Sequence, residues 1–348
     1  MAVVALLSLI SLVSIYFLSR NDSLIYFKKQ LFFVIAGFIL AIVAGYFDYR
    51  IFKNYSSFLF AFYIVSVLLL IAVLFLGYKT RGTTGWFSIG GFNFAPVEAA
   101  KLAIILLLAK YFSLRHIELF RIRHLIASFI YVAVPLFFVI MQPDLGSASV
   151  LAAIWLGIII ISGIKFRHLL VIMLIGFILF GIMWMAFLKD YQKERILTFL
   201  NPEKDPLGNS YNLRQSMIAI GAGGLWGRGI GKGTQAQLNF LPEGHTDFIF
   251  AVIAEETGLA GVVILFLLFA ILIYRILKIG MQAKNNFARL FSVGFSLMLV
   301  YQIIINIGMN MGIVPIIGLP LPFVSYGGSS TIINFIGLGI LQSIRIRG

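Results

Sequence analysis

The dominant pattern in this chain is a series of apolar runs separated by shorter polar segments. A helix needs about 20 apolar residues to cross roughly 30 Å of hydrocarbon, and runs of that kind recur along nearly the whole sequence. The pattern therefore predicts about ten membrane-spanning helices. Their predicted bounds are 2–18, 31–46, 57–77, 97–112, 125–141, 146–163, 169–188, 258–276, 288–309 and 328–344.

One polar segment, about 189–257, is much longer than the others and lies between the seventh and eighth predicted spans. A loop of this length inside a compact domain is unusual and often functional. A turn-rich stretch at 201–210 is followed by a predicted short helix at Ser216–Ile220 and by glycines that favour a re-entrant path. Because no repeat or soluble domain interrupts the pattern, the sequence predicts an all-α integral membrane protein with a single polytopic domain, 1–348.

Composition excludes a soluble protein. The chain is 61% hydrophobic and 11% charged, whereas soluble domains are about half apolar and a quarter charged. The net charge of +14 comes from basic residues that flank the apolar runs, which favours membrane lipids over nucleic acid as the partner. There is no cysteine, so disulfides and thiolate metal sites are excluded. The first run lacks signal-peptide features and is interpreted as a retained helix.

The basic residues also predict an orientation. One set of loops, including Arg115–Arg123, carries with the C-terminal tail fourteen Lys and Arg residues, while the opposite short loops and helix ends carry six. Cytoplasmic loops are enriched in Lys and Arg, so both termini should be cytoplasmic and the 189–257 loop should lie outside. Of the thirteen carboxylates, all but Asp48 and Glu118 lie on the predicted outer side, which suggests chemistry at that face.

The most acidic stretch is FLPEGHTDFIFAVIAEETG, residues 240–258. In one reading Asp247 caps the start of the next helix, and Glu255 and Glu256 mark the water boundary. In the other, Asp247 and Glu255 lie about two helical turns apart on one face, and form a carboxylate stripe. Such a stripe is costly in a membrane unless it faces a cavity or a partner. The sequence alone leaves both readings open.

Other polar islands lie on the same predicted side. Glu98 and Lys101 are three residues apart at the start of a span, where they can pair on one helix face, either as a structural salt bridge or as part of a site. The glycine-rich GRGIGKG is not a nucleotide loop, because Gly233 follows Lys232 where Ser or Thr is required. Its two cations, Arg228 and Lys232, could instead contact a lipid-linked phosphate.

Three motifs carry a resemblance to a known family: QPDLGS, GTQAQLNFLPEGHTDFIFAVIAEETGLAG and PLPFVSYGGSS, in this order along the chain. The chain resembles the SEDS family (shape, elongation, division and sporulation) over essentially its whole length, and more its cell-elongation branch than its cell-division branch. The resemblance implies a ten-helix glycosyltransferase that polymerises lipid II into peptidoglycan at the outer face of the bacterial cytoplasmic membrane. It also implies a class B penicillin-binding protein (a transpeptidase) and elongation-complex proteins as partners.

The resemblance also implies functional residues. The family's essential aspartate corresponds to Asp247, its tryptophan before the fourth span to Trp86, and the glutamate and lysine of that span to Glu98 and Lys101. Further substrate-binding candidates belong to the same motifs or to the glycine-rich segment. They are Gln235, His245, Thr246, Ser325, Tyr326, Arg228 and Lys232.

The chemistry agrees with a single carboxylate. Glycosidases use two carboxylates because they must protonate a poor leaving group, but a diphosphate leaves without a proton. Asp247 can then act as the general base on the acceptor's 4-hydroxyl, with inversion at the donor's anomeric carbon. Lys101, Arg228 or Lys232, or a Mg²⁺ or Mn²⁺ ion carried by the substrate diphosphate, would neutralise the leaving group. The sequence shows no dedicated metal cage.

Two other functions are compatible with a membrane protein of this type. A lipid II flippase would need ionisable residues at mid-depth in several spans, whereas the carboxylates here cluster at one end of the spans. A non-catalytic scaffold for the elongation machinery would not need Asp247. A polymerase accounts for more of these features than either alternative does.

Overall fold

The structure is a computed structural model that describes residues 1–20, 24–80, 83–114, 122–186, 188–201, 210–238 and 240–348. The described residues form helices and one small sheet. In chain order the elements are α1 (Ala2–Leu18), α2 (Ile25–Tyr46), α3 (Arg50–Asn54), α4 (Ser56–Leu76), β1 (Tyr78–Thr80), β2 (Thr83–Ile89), β3 (Phe92–Phe94), α5 (Pro96–Ser113), α6 (Ile122–Met141), α7 (Leu145–Ile161), α8 (Phe166–Ala186), α9 (Asp190–Leu200), α10 (Tyr211–Gly223), α11 (Thr234–Gln237), α12 (Ile249–Gln282), α13 (Asn286–Asn310) and α14 (Gly328–Arg347).

The predicted spans all coincide with helices, namely α1, α2, α4 to α8 and α12 to α14. Among the described residues, seven helices are long and apolar enough to cross a membrane, and α1 and α7 are apolar but shorter. Helix α5 is continuous but is not among the seven, and its apolar sequence is interrupted by the charged residues Glu98, Lys101 and Lys110. The prediction of an all-α, multi-pass membrane protein is confirmed. The number of ten spans stays a prediction.

Helix α5 forms the centre of the bundle. All its residues are buried except Tyr111 and Ser113, and it packs against α4, α13 and α14. A helix that is buried around its whole circumference, as α5 is despite its three charged side chains, occupies the interior of a bundle. Small residues allow the neighbouring helices to approach closely: a Cβ on Gly339 of α14 would lie 2.5 Å from the carbonyl oxygen of Ala41 in α2. Small residues have this role at many membrane helix interfaces.

Helix α8 has the opposite environment, since none of its described side chains is buried. Leu, Ile, Met and Phe side chains cover its surface. A helix that is apolar all round and unburied by protein is stable only in hydrocarbon, which agrees with a membrane location.

Helix α12 is broken at Gly258, which has φ 65° and ψ −164°, a conformation open essentially only to glycine. The glycine-rich segment after α10 supplies the missing hydrogen bonds. The last carbonyls before the break accept from the backbone N–H groups of Arg228 and Gly229, and the first N–H groups after it donate to the carbonyls of Gly224 and Leu225. Broken helices occur in membranes where such replacement partners exist.

The small antiparallel sheet, in the order β1-β2-β3, was not predicted from the sequence. One of its turns is Gly90–Gly91, which joins the paired residues Ile89 and Phe92. Both glycines have positive φ, 57° and 80°, as the commonest two-residue hairpin turn requires. The sheet lies before α5 and places Trp86, on β2, opposite Tyr78.

The long segment 189–257 contains α9, α10 and α11. The short helix predicted at Ser216–Ile220 is confirmed as part of α10, which packs against α12. Most of the turn-rich stretch predicted at 201–210, and most of the predicted Arg115–Arg123 loop, lie outside the described residues.

Candidate functional site

Asp247 lies just before α12 and is half-buried. Because α12 begins at Ile249, Phe248 occupies the cap position, and the prediction that Asp247 does so is wrong by one residue. The backbone carbonyl of Asp247 accepts two hydrogen bonds from α13, from Asn306 Nδ2 at 3.1 Å and Asn310 Nδ2 at 2.9 Å. Both asparagines are fully buried. The backbone of this residue is therefore fixed from the neighbouring helix.

Tyr326 and Ser325 hold the two residues before Asp247 in a similar way. The hydrogen bonds to the carbonyls of residues 245–247 are together called the clamp. The backbone N–H of Tyr326 donates to the carbonyl of His245 at 2.8 Å, and Ser325 Oγ donates to the carbonyl of Thr246 at 2.6 Å. The segment 318–327 thus lies directly against 245–247. The structure brings together Asp247, His245, Thr246, Ser325 and Tyr326, which the sequence placed in two distant motifs.

Three aromatic rings cover one side of this clamp. The His245 ring lies 4.1 Å from the ring of Tyr26 and 5.7 Å from that of Tyr326, and the two tyrosine rings are 5.3 Å apart. Burial, with a smaller contribution from Tyr26, raises the pKa of the Tyr326 phenol. This hydroxyl is therefore neutral at physiological pH and can act as a hydrogen-bond donor.

Glu98 and Lys101 form the predicted ion pair, with 2.7 Å between Oε1 and Nζ. The pair is enclosed, since Glu98 is 6% exposed and Lys101 0%. A buried pair of this kind is costly to break, because removing one partner leaves a buried charge uncompensated. For Lys101 to contact a diphosphate directly, the pair would have to open.

The start of α5 is joined to the 318–327 segment through Ser329 at the start of α14. The Ser329 hydroxyl accepts from the backbone N–H of Ala95 at 2.8 Å and donates to the carbonyl of Asn93 at 3.3 Å. The end of β3 and the start of α5 therefore lie at the same end of the bundle as Asp247. Trp86, half-buried on β2, belongs to the same end through the sheet.

The glycine-rich cations are exposed, as a phosphate-binding role would require. Part of Arg228 is used structurally, since its guanidinium donates to the carbonyl of Ala222 and to Thr234 Oγ1. Lys232 lies in the following turn. Gln235 is half-buried, and its side-chain oxygen has no hydrogen-bond partner among the described residues.

Glu255 and Glu256 are buried, so the reading that they mark the water boundary is wrong. Glu255 accepts from the backbone N–H groups of Gln235 and Ala236 at the start of α11, at 2.9 and 3.2 Å. Glu256 accepts from the N–H of Gly231 at 3.0 Å. The alternative prediction, a carboxylate stripe formed by Asp247 and Glu255 on one helix face, is also wrong, because Asp247 precedes the helix. Both glutamates fasten the long segment to α12.

Sequence reasoning missed four residues that hold this site. They are Gln30, Ser216, Asn306 and Asn310. Gln30 Nε2 donates to the carbonyl of Ser325 at 3.3 Å from α2. For Gln30, Asn306 and Asn310 the sequence did contain a signal, namely an amide side chain in or beside an apolar run. Polar residues in membrane spans are rare and have functional or packing partners.

Metal ligands do not converge in the described part of the chain: no group of three or more His, Asp or Glu side chains is placed to hold an ion. A divalent cation brought by a substrate diphosphate would need few protein ligands.

The fold and site define a polytopic helical membrane protein with a clamped carboxylate at one end of its bundle. This chain belongs to the FTSW_RODA_SPOVE family, described as cell cycle proteins, whose model matches residues 1–347. It is 39% identical over 308 residues to the peptidoglycan glycosyltransferase MrdB of Escherichia coli K12, covering 88% of this chain and 82% of that protein. The predicted family is thereby confirmed.

Two solved structures share the fold. One, described as a peptidoglycan synthase complex that coordinates polymerization and crosslinking, has a TM-score of 0.85 and 31% identity, covering 99% of this chain and 96% of the other. The rod shape determining protein RodA of Thermus thermophilus has a TM-score of 0.72 and 29% identity, with 99% and 94% covered. The similarity therefore extends over the whole bundle.

Proposed function

We propose that this protein polymerises lipid II into peptidoglycan strands by an inverting transfer in which Asp247 is the general base. The protein is a peptidoglycan glycosyltransferase of cell elongation, in keeping with its family and with the names of its relatives. The observation that carries the catalytic proposal is the clamp on Asp247, which holds the backbone of a half-buried aspartate at one end of the bundle.

The proposed reaction needs one proton acceptor. The acceptor sugar's 4-hydroxyl oxygen forms a bond to the donor's anomeric carbon while its proton passes to Asp247. The bond from that carbon to the diphosphate oxygen breaks, and the diphosphate leaves with the electron pair. A general base contributes about 10²–10⁴-fold, and correct placement contributes more. An aspartate whose backbone is held in place suits this task.

Charge on the leaving diphosphate must be neutralised. Arg228 and Lys232 are exposed at the surface of the long segment and are available to a phosphate there. Lys101 would contribute once its pair with Glu98 opens. A Mg²⁺ or Mn²⁺ ion bound by the diphosphate would do the same without a dedicated protein cage. His245, Thr246, Gln235, Ser325, Tyr326 and Trp86 complete the proposed substrate-binding set.

The orientation follows from the charge distribution. The Asp247 end of the bundle is proposed to face outward, and both termini to be cytoplasmic, because fourteen basic residues flank the spans on the opposite side. Lipid II presented in the outer leaflet of the bacterial cytoplasmic membrane would then reach Asp247. A class B penicillin-binding protein is the proposed partner, supported by the similarity to a complex that joins polymerization and crosslinking. Elongation-complex proteins and membrane lipids are proposed as further contacts.

The test is lipid II polymerisation by the purified protein, with and without its transpeptidase partner, with glycan product resolved on a gel. We expect strands from the wild type and at least about 10²-fold less product from Asp247→Asn. Product from neither protein under conditions in which both are folded and partner-bound would refute the proposed activity.

A further inference from the structure

The two buried asparagines of α13 make an unusual number of contacts with the residues around Asp247. Asn306 and Asn310 are one helical turn apart on the same face of α13, and both are 0% exposed. Their two amide groups converge on one atom, the carbonyl oxygen of Asp247. A carbonyl has two lone pairs, so this acceptor is saturated from one side.

Saturation of that carbonyl fixes the carboxylate as well. The carbonyl of Asp247 lies in the peptide plane after its Cα, and the carbonyl of Thr246, which Ser325 Oγ holds, lies in the plane before it. With both planes held, the direction in which Cβ and the carboxylate leave the backbone is set. Only the side-chain torsions of Asp247 remain to be set. The backbone contribution to the placement of the carboxylate thus comes from α13 and from Ser325, and α13 holds the plane of the Asp247 carbonyl itself.

Asn306 also holds the 318–327 segment, which lies against Asp247. Its Nδ2 also donates to the carbonyl of Leu319 at 2.7 Å. The preceding residue, Gly318, has φ 68°, and a Cβ placed on it would lie 3.5 Å from Asp247 Oδ2. One amide group therefore sets the spacing between the carboxylate and the 318–327 segment.

Asn310 fixes the start of α12. Its Oδ1 accepts from the backbone N–H of Ala251 at 3.3 Å, one of the donors that a helix leaves without an internal partner. Ser216 of α10 donates to the carbonyl oxygen and to Oδ1 of Asn310, at 2.8 and 3.3 Å. The helix start after Asp247 is thus capped from α13 and braced from α10.

We propose that Asn306 and Asn310 are positioning residues for the general base: they hold the backbone of Asp247 so that its carboxylate meets the acceptor hydroxyl. This inference rests on the proposed role of Asp247. Since a misplacement of about 1 Å can cost 10²-fold in rate, the loss of either amide donor should slow the chemical step without weakening substrate binding.

A neighbouring residue provides a matched control. Gln302 lies one turn before Asn306 on α13, is also 0% exposed, and neither polar atom of its side chain has a hydrogen-bond partner among the described residues. A buried amide on this helix is therefore not in itself a link to Asp247. Gln302→Met keeps the size and the burial, and should leave the polymerisation rate unchanged.

The test measures kcat and KM for lipid II separately in Asn306→Asp, Asn310→Asp and Gln302→Met. A carboxyl group in place of the amide keeps the shape, but when ionised it has no donor, and when protonated it can donate only one of the two bonds that each amide nitrogen makes. We expect kcat to fall by at least about tenfold in the two aspartate variants, with KM within about twofold of wild type, as for an interaction needed only in the transition state. If Asn310→Asp does not fold, Asn306→Ser, which leaves the cap on Ala251 in place, carries the same expectation.

A double variant separates positioning from general stability. In an Asp247→Asn background, Asn310→Asp should cause no further loss of rate, because the group that it positions is already gone. A further tenfold loss in the double variant, or wild-type kcat in the folded aspartate variants while Asp247→Asn is inactive, would overturn this inference alone. Wild-type rate in Asp247→Asn would overturn the proposed base and this inference together.

Discussion

Asp247 owes its placement to residues far from it in the chain. Its own segment has the turn residues Pro242 and Gly244 but no regular structure, and the polar contacts described above come from α13 and from the 318–327 segment. A base on a loop would ordinarily be imprecise, since loops are more mobile than the elements they join. Here the buried amides of Asn306 and Asn310 and the hydroxyl of Ser325 hold the backbone of this loop in place.

Substitution of Asp247 itself should separate acid–base chemistry from folding. Asp247→Asn keeps the backbone and its accepted hydrogen bonds but cannot take a proton, so polymerisation should fall at least about 10²-fold with an unchanged melting temperature. Asp247→Glu moves the acid by a methylene and should also lose most activity. Glycan product on a gel, thermal melting and partner pull-down measure this. Near wild-type polymerisation by a folded Asp247→Asn would mean that the base is elsewhere.

The Glu98–Lys101 pair makes a different prediction, because both groups are enclosed. Lys101→Met alone should destabilise the protein by about 3–5 kcal/mol, since it strands a buried carboxylate. Lys101→Met/Glu98→Gln removes both charges and should recover most of that loss in the melting temperature. If Lys101 neutralises the diphosphate, the recovered double variant stays inactive. Wild-type activity in the double variant would show that the pair is only a structural salt bridge.

At the scale of single elements, α12 is the least regular helix and depends most on its neighbours. Its break at Gly258 is stabilised by the segment 223–229, and its first half is tied down through Glu255 and Glu256. The arrangement allows one long helix to carry a polar segment packed on its surface. The break therefore couples the shape of the segment that carries Arg228 to that of α12.

Gly258→Ala should be severely destabilising. The added Cβ would lie 2.3 Å from the backbone nitrogen of Gly227, in a conformation that costs a non-glycine residue about 1–3 kcal/mol even without a clash. Gly181→Ala in α8 is the matched control, because no atom lies within 4 Å of the new methyl group. We expect a large drop in melting temperature for the first and almost none for the second. Equal melting temperatures would show that the break at Gly258 is dispensable.

The elements also show what the sequence could and could not reveal. Long apolar runs predicted all the long helices, because membrane insertion requires nearly continuous hydrophobicity. The small sheet was missed although SIGGFNF has a two-residue Gly-Gly turn between alternating residues, a recognised hairpin signal. Asp247 was predicted through its motif. Asn306 and Asn310 were not, because only tertiary packing shows which buried amide meets which carbonyl.

At the scale of the whole molecule, the bundle has a polar end and a basic end. Asp247, the small sheet and the segment 318–327 lie at the polar end. At the basic end Arg347 donates to the carbonyl of Tyr46, the last residue of α2, and to that of Phe47, the C-cap residue. Cations near a helix C-terminus are favourable. The asymmetry agrees with the orientation proposed from the loop charges.

The orientation can be measured with introduced cysteines, since the chain has none of its own. Ser88→Cys, on the exposed face of β2, should react with an impermeant thiol reagent in intact cells. Lys284→Cys, exposed between α12 and α13, should react only after the membrane is permeabilised. The opposite pattern would reverse the proposed topology and place the Asp247 end in the cytoplasm.

The clamp around Asp247 has a consequence for biosynthesis. Four hydrogen bonds hold the carbonyls of residues 245–247, and their donors are all translated later: Asn306, Asn310, Ser325 and Tyr326. A nascent chain that has inserted α12 carries the proposed base but none of these four donors. The proposed catalytic centre should therefore assemble only once the 318–327 segment has left the ribosome, and we expect a chain stalled before that point not to polymerise its substrate.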